Sequence, residues 1–497
     1  MQLKRPILVG GLGLSASLWL LNIVGHSPVG HALGDGSALM GAIALSSGIW
    51  IFKQGQKQGQ NAELAIESPL ALQTVDRTAV ERVIAGVESA ISTLIEELPE
   101  DASAEKSKRV WTQIEAQIKA KRNAIAQVLE SIDRETLSIA VVGNKSTGKS
   151  TVISQLRKQW QPAHTHVTSI TETAGENAIP AAQSDLVLFV TAGDLTQSEL
   201  QHLQTLLKAG YRLHIAFNKQ DQLTPEDRGS VLQRIQTRVE ALGIGVSAIA
   251  ANPNTIKVRR HQEDGTIQES TEQPAAQLSS LTDRLTQLAN SEAKQLILAT
   301  ALRQAKALKV DTQKLLNAQR KQKALPIIEQ MQWIAAGSAF ASPLPSLDLL
   351  ASTAINAQLI VDLGAVYGQT FSLEQGKKAA STLAELLVKL GLVELSTQAF
   401  GSLLKTHAAT YVAGGALQGV SAAYLTRTVG LSLVEFFEEQ SHLPEQKRQF
   451  AFSNMGDRLQ AIFKATKQDL GLQSFVKQAL THLPAANKLT TEKTVAA

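Results

Sequence analysis

Residues 137–150 read LSIAVVGNKSTGKS, and the hydrophobic pattern of the chain changes there. Residues 137–142 form a short apolar run, the signature of a buried parallel strand. The run stops at Gly143, and Gly143-Asn144-Lys145-Ser146-Thr147-Gly148-Lys149-Ser150 fits G-x-x-x-x-G-K-[ST] in full. That spacing has a mechanism. Glycines let backbone N–H groups curl around a phosphate, and the helix that follows, expected over 151–159, aims its positive end at the anion. Lys149 is expected to reach the β- and γ-phosphates and Ser150 to hold Mg²⁺ through its hydroxyl. Asn144, Ser146, Thr147, Gly148 and Thr151 complete the phosphate-binding loop.

Working outward, strand-like runs recur at 185–190, 212–217 and 246–250, separated by helical stretches at 198–209 and 226–242. Alternating strands and helices predict an α/β P-loop domain, doubly wound on a mostly parallel sheet. Directly after the apolar run 213–217 comes Asn218-Lys219-Gln220-Asp221, an N-K-x-D base-reading motif. The Asp221 carboxylate can accept two hydrogen bonds from guanine N1 and N2, a pair that adenine cannot supply. A carboxylate left unpaired makes the choice selective. Lys219 is expected along the base and Asn218 as the brace of the loop. Ser247-Ala248 follows in the order expected of a third base-side motif. Together these predict GTP or GDP with Mg²⁺ as ligands.

The stretch between Lys149 and Asp185 is short. Its nearest approach to D-x-x-G is Glu172-Thr173-Ala174-Gly175, with Glu where Asp is expected, and Glu176 comes next. Glu172 is the candidate for a catalytic role and for contact with the metal through water. Glu176 would repel charge developing on a γ-phosphate, and none of Thr165, Thr168 and Thr171 stands out as the switch threonine. The expectation is nucleotide binding with slow or absent unaided hydrolysis.

The first five residues are basic, and residues 6–52 contain no Lys or Arg. Residues 7–24 are almost wholly apolar, Gly25-His26-Ser27-Pro28 breaks them, and a second apolar stretch runs over 29–52 before Lys53 and Lys57. Two short spans with positive charge at both outer ends predict a transmembrane hairpin whose termini, and the nucleotide domain with them, face the cytoplasm. The chain is 19% charged, less than the usual share of about a quarter, so much surface must be hidden in a core or in lipid. A net charge of +4, with no basic stripe carrying aromatics, argues against a nucleic-acid partner. The absence of cysteine excludes disulfides and thiolate metal sites, and His164, His166 and His407 have no metal-ligand spacing.

Elsewhere the pattern is helical. After a polar linker at 54–60, apolar residues recur at three and four through 74–133, with a break at Leu98-Pro99, which predicts an amphipathic pair. Residues 252–274 are polar and carry Asp264-Gly265, a hairpin signal. A long helix is expected over 275–335. The stretch 333–437, rich in Ala, Leu and Gly, predicts a bundle packed through small residues, with partial insertion into lipid as the other reading. Asp348, Asn356, Gln358 and Asp362 read as satisfied helix positions rather than a site.

The P-loop, the strand 185–190 with its Gly193-Asp194-Leu195 sequel, and Asn218 to Asp221 resemble an Era-like G domain of the translation-factor-related GTPase class. Ser342-Pro343-Leu344-Pro345, Asn356-Ala357-Gln358, Val366-Tyr367-Gly368 and Gln418 to Arg427 resemble the YcjF-type domain of unknown function. The two resemblances together imply a bacterial membrane-associated GTP-binding protein. The expected order is a membrane hairpin at 1–53, a linker and helices at 54–136, and a G domain at 137–253. A loop and connecting helix follow at 254–326, the YcjF-type region at 327–440, and terminal helices at 441–497. The functional expectation is a multi-pass, membrane-anchored nucleotide switch. Its alternative is a membrane scaffold with a degenerate nucleotide domain. The bilayer and guanine nucleotide are the expected partners, with room for self-association.

Overall fold

The structure, a computed structural model, describes residues 75–98, 105–160, 166–175, 177–261, 267–341, 345–405, 415–441, 443, 450–469 and 472–482. The expected membrane hairpin at 1–53 and the linker at 54–60 lie outside them. Among the described residues no helix is long and apolar enough to cross a membrane.

Five parallel strands form the central sheet: β1 (Thr136–Val142), β2 (His166–Glu172), β3 (Leu186–Thr191), β4 (Leu213–Phe217) and β5 (Gly245–Ala248), in the order β2-β1-β3-β4-β5. All six residues of β3 are buried, as a strand covered on both faces requires. The crossover helices are α3 (Lys149–Gln159), α4 (Gln197–Lys208) and α5 (Pro225–Glu240). A capping box starts α4: the Thr196 hydroxyl accepts from Glu199 N–H while the Glu199 carboxylate accepts from Thr196 N–H. The doubly wound α/β expectation thus holds. One strand, β2, was not anticipated. It places Glu172 opposite Val141, beside the end of β1.

The apolar core on one side of the sheet is completed from beyond residue 253. After β5 an antiparallel pair, β6 (Ile256–His261) and β7 (Ile267–Glu272), brackets the expected Asp264-Gly265 turn, which itself lies outside the described residues. Then α6 (Ser279–Gln287) and a π turn over Leu288–Glu292 bring Leu281, Leu285, Leu288 and Ala289 into one cluster with Ile139, Val141, Leu156 and Leu188. The Trp160 indole N–H donates to Thr286 Oγ1 at 2.9 Å and fixes that cover.

The chain then enters α7 (Ala293–Ala341), a helix of 49 residues. Its first half packs with α1 (Arg77–Glu96) and α2 (Glu105–Ile132), through Val80, Ile84, Val87 and Ile91 against Leu298, Ala301 and Ala305. The amphipathic pair therefore buries its apolar stripes against the long helix. The second half joins α8 (Pro345–Val366), α9 (Leu373–Lys389), α10 (Leu392–Lys405), α11 (Gly415–Ser441), α12 (Gly456–Asp469) and α13 (Leu472–His482) in a further core. Small residues set its closest approaches. A Cβ on Gly376 would lie 2.8 Å from Ala357 O, and one on Gly430 would lie 2.8 Å from Ile328 Cγ1. Gln358 Nε2 donates to Asp362 Oδ1 at 2.7 Å, an ordinary i, i+4 helix pair.

Candidate functional site

At the end of β1 the chain must turn sharply under β3. Gly143 has φ +142°, and a Cβ there would sit 2.2 Å from Val190 O, so only glycine fits. Gly148, at φ +92°, starts α3, and a Cβ on it would meet Asn218 Nδ2 at 2.4 Å. Ser146 (φ +64°) and Lys219 (φ +61°) are non-glycine residues in the left-handed region, one in each of the two expected ligand loops. Backbone strain of this kind concentrates at ligand clamps.

The two loops are tied to each other. Asn218 is buried, and its Nδ2 donates to Thr147 O at 2.9 Å while its Oδ1 accepts from Ala251 N–H at 3.0 Å. Lys219 Nζ donates to Ser146 O at 2.7 Å. The glycine-rich loop and the Asn218–Asp221 loop are therefore held side by side. Asp221 closes the second of them. Its Oδ2 accepts from Asn254 N–H at 3.0 Å, and its Oδ1 is buried with no hydrogen-bond partner among the described residues.

On the phosphate side, Lys149 Nζ donates to Gly143 O (3.1 Å) and Asn144 O (2.9 Å), and Thr147 Oγ1 also donates to Asn144 O, at 3.0 Å. Ser150 Oγ donates to Glu172 Oε2 at 2.6 Å, and Glu172 Oε1 lies 3.9 Å from Lys149 Nζ. The carboxylate at the end of β2 thus meets both the lysine and the hydroxyl expected to hold phosphate and metal. Thr151 is half-buried in the first turn of α3. Thr168 and Thr171 are strand residues of β2 rather than part of a free loop, Thr171 opposite Ala140 of β1, while Thr165 and Glu176 lie outside the described residues.

Ser247 and Ala248 fall within the strand-like run expected at 246–250. They belong to β5, paired with Ala216 and Phe217. The Ser247 hydroxyl is buried, donating to Ser280 O at 3.1 Å and 2.9 Å from His214 Nε2. Burial, with Arg284 nearby, pushes the His214 imidazole down to about 4. The residues that meet the Asn218–Asp221 loop come after β5: Ile249 O accepts from Gln220 N–H at 3.2 Å, and Ala251 and Asn254 contribute as above. No sequence signal marks Ala251 or Asn254, because they act through backbone N–H groups. Among the described residues no cluster of His, Asp or Glu forms a separate metal site.

Residues 303–468 match the domain of unknown function DUF697. The match begins inside α7 and runs into α12, wider than the region 327–440 expected for the C-terminal domain. No curated protein matches the chain. Among solved structures, an oligomerised bacterial dynamin pair, described as a mechanism for long-range sensing and tethering of membranes, is similar over 81% of this chain and 81% of its own, at 11% identity and a TM-score of 0.22. At that score the likeness carries no argument about this chain.

Proposed function

We propose that the chain binds a guanine nucleotide with Mg²⁺ in the cleft between Gly143–Ser150 and Asn218–Asp221, and that it is a membrane-anchored nucleotide switch with slow intrinsic hydrolysis. The observation that carries the reading is Asp221 Oδ1, a buried carboxylate oxygen without a partner among the described residues, in the loop that Asn218 and Lys219 tie to the P-loop. A buried, unpaired acceptor is costly, and guanine N1–H and N2–H supply the donors that relieve it. Adenine would present an acceptor to the same oxygen. The residues present fit the nucleotide on the phosphate side too. Gly143 and Gly148, both at positive φ, shape the loop so that its backbone can curl as a phosphate cradle requires, and Lys149 already bonds the loop carbonyls.

Ser150 and Glu172 would hold Mg²⁺, which when bound offsets the charge of the phosphates. The chain's own residues do the rest. Lys149 exchanges loop carbonyls for phosphate oxygens, Asn218 keeps the two loops in register, and Asp221 reads the base. Glu172 is one methylene longer than the aspartate expected there, and it already touches Ser150. That crowding favours binding over fast turnover. The Era-like and YcjF-type resemblances and the hairpin at 1–53 are the support for membrane anchoring, with the nucleotide domain on the cytoplasmic side.

The test is equilibrium binding by the full-length protein in detergent. GDP and GTP should bind at least about a hundredfold more tightly than ATP, as expected when a site hydrogen-bonds its ligand. Equal binding of ATP would defeat the reading. Different protease-protection patterns with GTP and GDP separate a switch from a static scaffold, which gives one pattern with both.

A further inference from the structure

Between Glu172, which touches the P-loop, and β3 lies a segment whose carbonyls are held from outside. Ala178 O accepts from His202 Nε2 at 3.2 Å and Pro180 O from the Tyr211 hydroxyl at 2.7 Å. Ala182 O accepts from Arg303 Nη2 at 2.8 Å and Gln304 Nε2 at 2.9 Å. Ser184 O accepts from Arg303 Nη2 at 2.8 Å and Thr300 Oγ1 at 3.4 Å. Every second carbonyl from 178 to 184 is taken by a side chain, and the last two are taken by α7. The segment ends at Asp185, whose Oδ2 accepts from Ser138 N–H in β1 at 2.8 Å.

Arg303 is the centre of this clasp. Besides Ala182 O and Ser184 O, it reaches Gly210 O at 3.4 Å, and its guanidinium lies 3.9 Å over the Tyr211 ring. A planar fork that serves three carbonyls and stacks on an aromatic ring is work that a lysine cannot do. We propose that Arg303 is a positioning residue that couples the segment following Glu172 to α7, so that the nucleotide bound at the P-loop sets the placement of the long helix. The inference rests on the guanine-nucleotide reading of the cleft. Its physical logic is short. A ligand that contacts Glu172 or Gly175 moves the start of the segment, and the carbonyls at 182 and 184 pass that displacement to Arg303 and Gln304. The same helix continues into the C-terminal core through Ala324 and Ile328.

The experiment is hydrogen exchange along residues 293–341 of the full-length protein, with GDP and with a non-hydrolysable GTP analogue. In the wild type, protection should differ between the two nucleotides by about fivefold or more, the lower end of ordinary coupling. Arg303→Gln should shrink that difference to within about twofold and leave GDP affinity within about threefold of wild type, and Arg303→Lys should not restore it. A merely structural brace would change stability in both nucleotide states alike and keep the difference. If Arg303→Gln does not fold, Gln304→Ala removes one donor at Ala182 O and should reduce the difference. The full difference persisting in a folded variant overturns the coupling, as does guanine binding by the wild type with no difference in exchange. Failure of the wild type to bind guanine shows first in the affinity measurement. It overturns the reading of the cleft, and this inference with it.

Discussion

Replacing Asn218 by Ala removes two hydrogen bonds from one buried side chain. Thr147 O loses its donor at 2.9 Å, and Ala251 N–H loses its acceptor at 3.0 Å. Both lie in a part of the fold closed to water, since Asn218 itself is only 2% exposed. Leaving a buried polar group unsatisfied costs about 1–3 kcal/mol, so the pair sums to about 2–6 kcal/mol. For a domain of this size, at about 2–4 °C per kcal/mol, the melting temperature should fall by about 4–24 °C. The loss is also local. With the brace gone, the P-loop and the Asp221 loop are no longer held in register, and guanine affinity should fall by about tenfold or more, the effect of roughly 1.4 kcal/mol. Thermal unfolding and a fluorescent-GDP titration on the same preparation measure both. Asn218→Asp is the sharper control. It keeps the acceptor for Ala251 N–H but turns an oxygen towards Thr147 O, so it should be no better than Ala. A variant within about 0.5 kcal/mol of wild type and with unchanged GDP affinity would refute the claim that this side chain joins the loops, since surface changes behave that way.

Further outcomes follow from other parts of the site. Gly148→Ala puts a Cβ 2.4 Å from Asn218 Nδ2 at φ +92°, which should cost about 1–2 kcal/mol from backbone handedness alone and lower GDP affinity, read by the same titration. Lys149→Met removes the ammonium between the loop carbonyls and the phosphates. It should weaken GTP binding by about tenfold to a hundredfold, the value of one charged hydrogen bond, with little change in melting temperature. His214 sits at about 4 when folded, below its ordinary 6.5. The unfolded chain therefore binds a proton that the folded one refuses, and stability should drop as pH falls from about 6.5 to about 4. The full loss is roughly 3 kcal/mol at 1.36 kcal/mol per pH unit, and His214→Gln should flatten urea-unfolding stability across that window.

The sequence made the nucleotide loops legible because their chemistry is local. Eight consecutive residues carry the proposed phosphate cradle, and Asn218, Lys219 and Asp221, proposed to read a base, lie within one turn, so spacing alone predicts them. What escaped the reading acts at a distance or without a side-chain signature. Strand β2 was missed because its alternation rests on polar β-branched residues, with only Val167 and Ile170 apolar. Placing that strand beside β1 is what makes Glu172 meaningful, since a carboxylate 22 residues after Ser150 becomes its hydrogen-bond partner. The pair Ser247-Ala248 was read as a base-side motif. It lies at the end of β5, within the strand-like run expected at 246–250, and two common residues in order carry too little information to say more. Ala251 and Asn254 contribute only N–H groups, which every residue but proline has. The cover of the sheet by Leu281, Leu285 and Leu288 was read as part of a separate connecting helix. Periodicity shows that a helix has an apolar face, but not which surface that face meets.

The central claim is that Asp221 recognises guanine in a cleft it shares with Lys149, and nucleotide specificity of the Asp221→Asn variant tests it most directly. Asparagine offers an N–H where the carboxylate accepted, so guanine loses a hydrogen bond to a charged group and xanthine, with a carbonyl at position 2, gains one. The account predicts that GDP affinity falls by about tenfold to a hundredfold or more while affinity for xanthosine diphosphate rises above it. Unchanged preference for GDP in a folded Asp221→Asn protein would contradict the account.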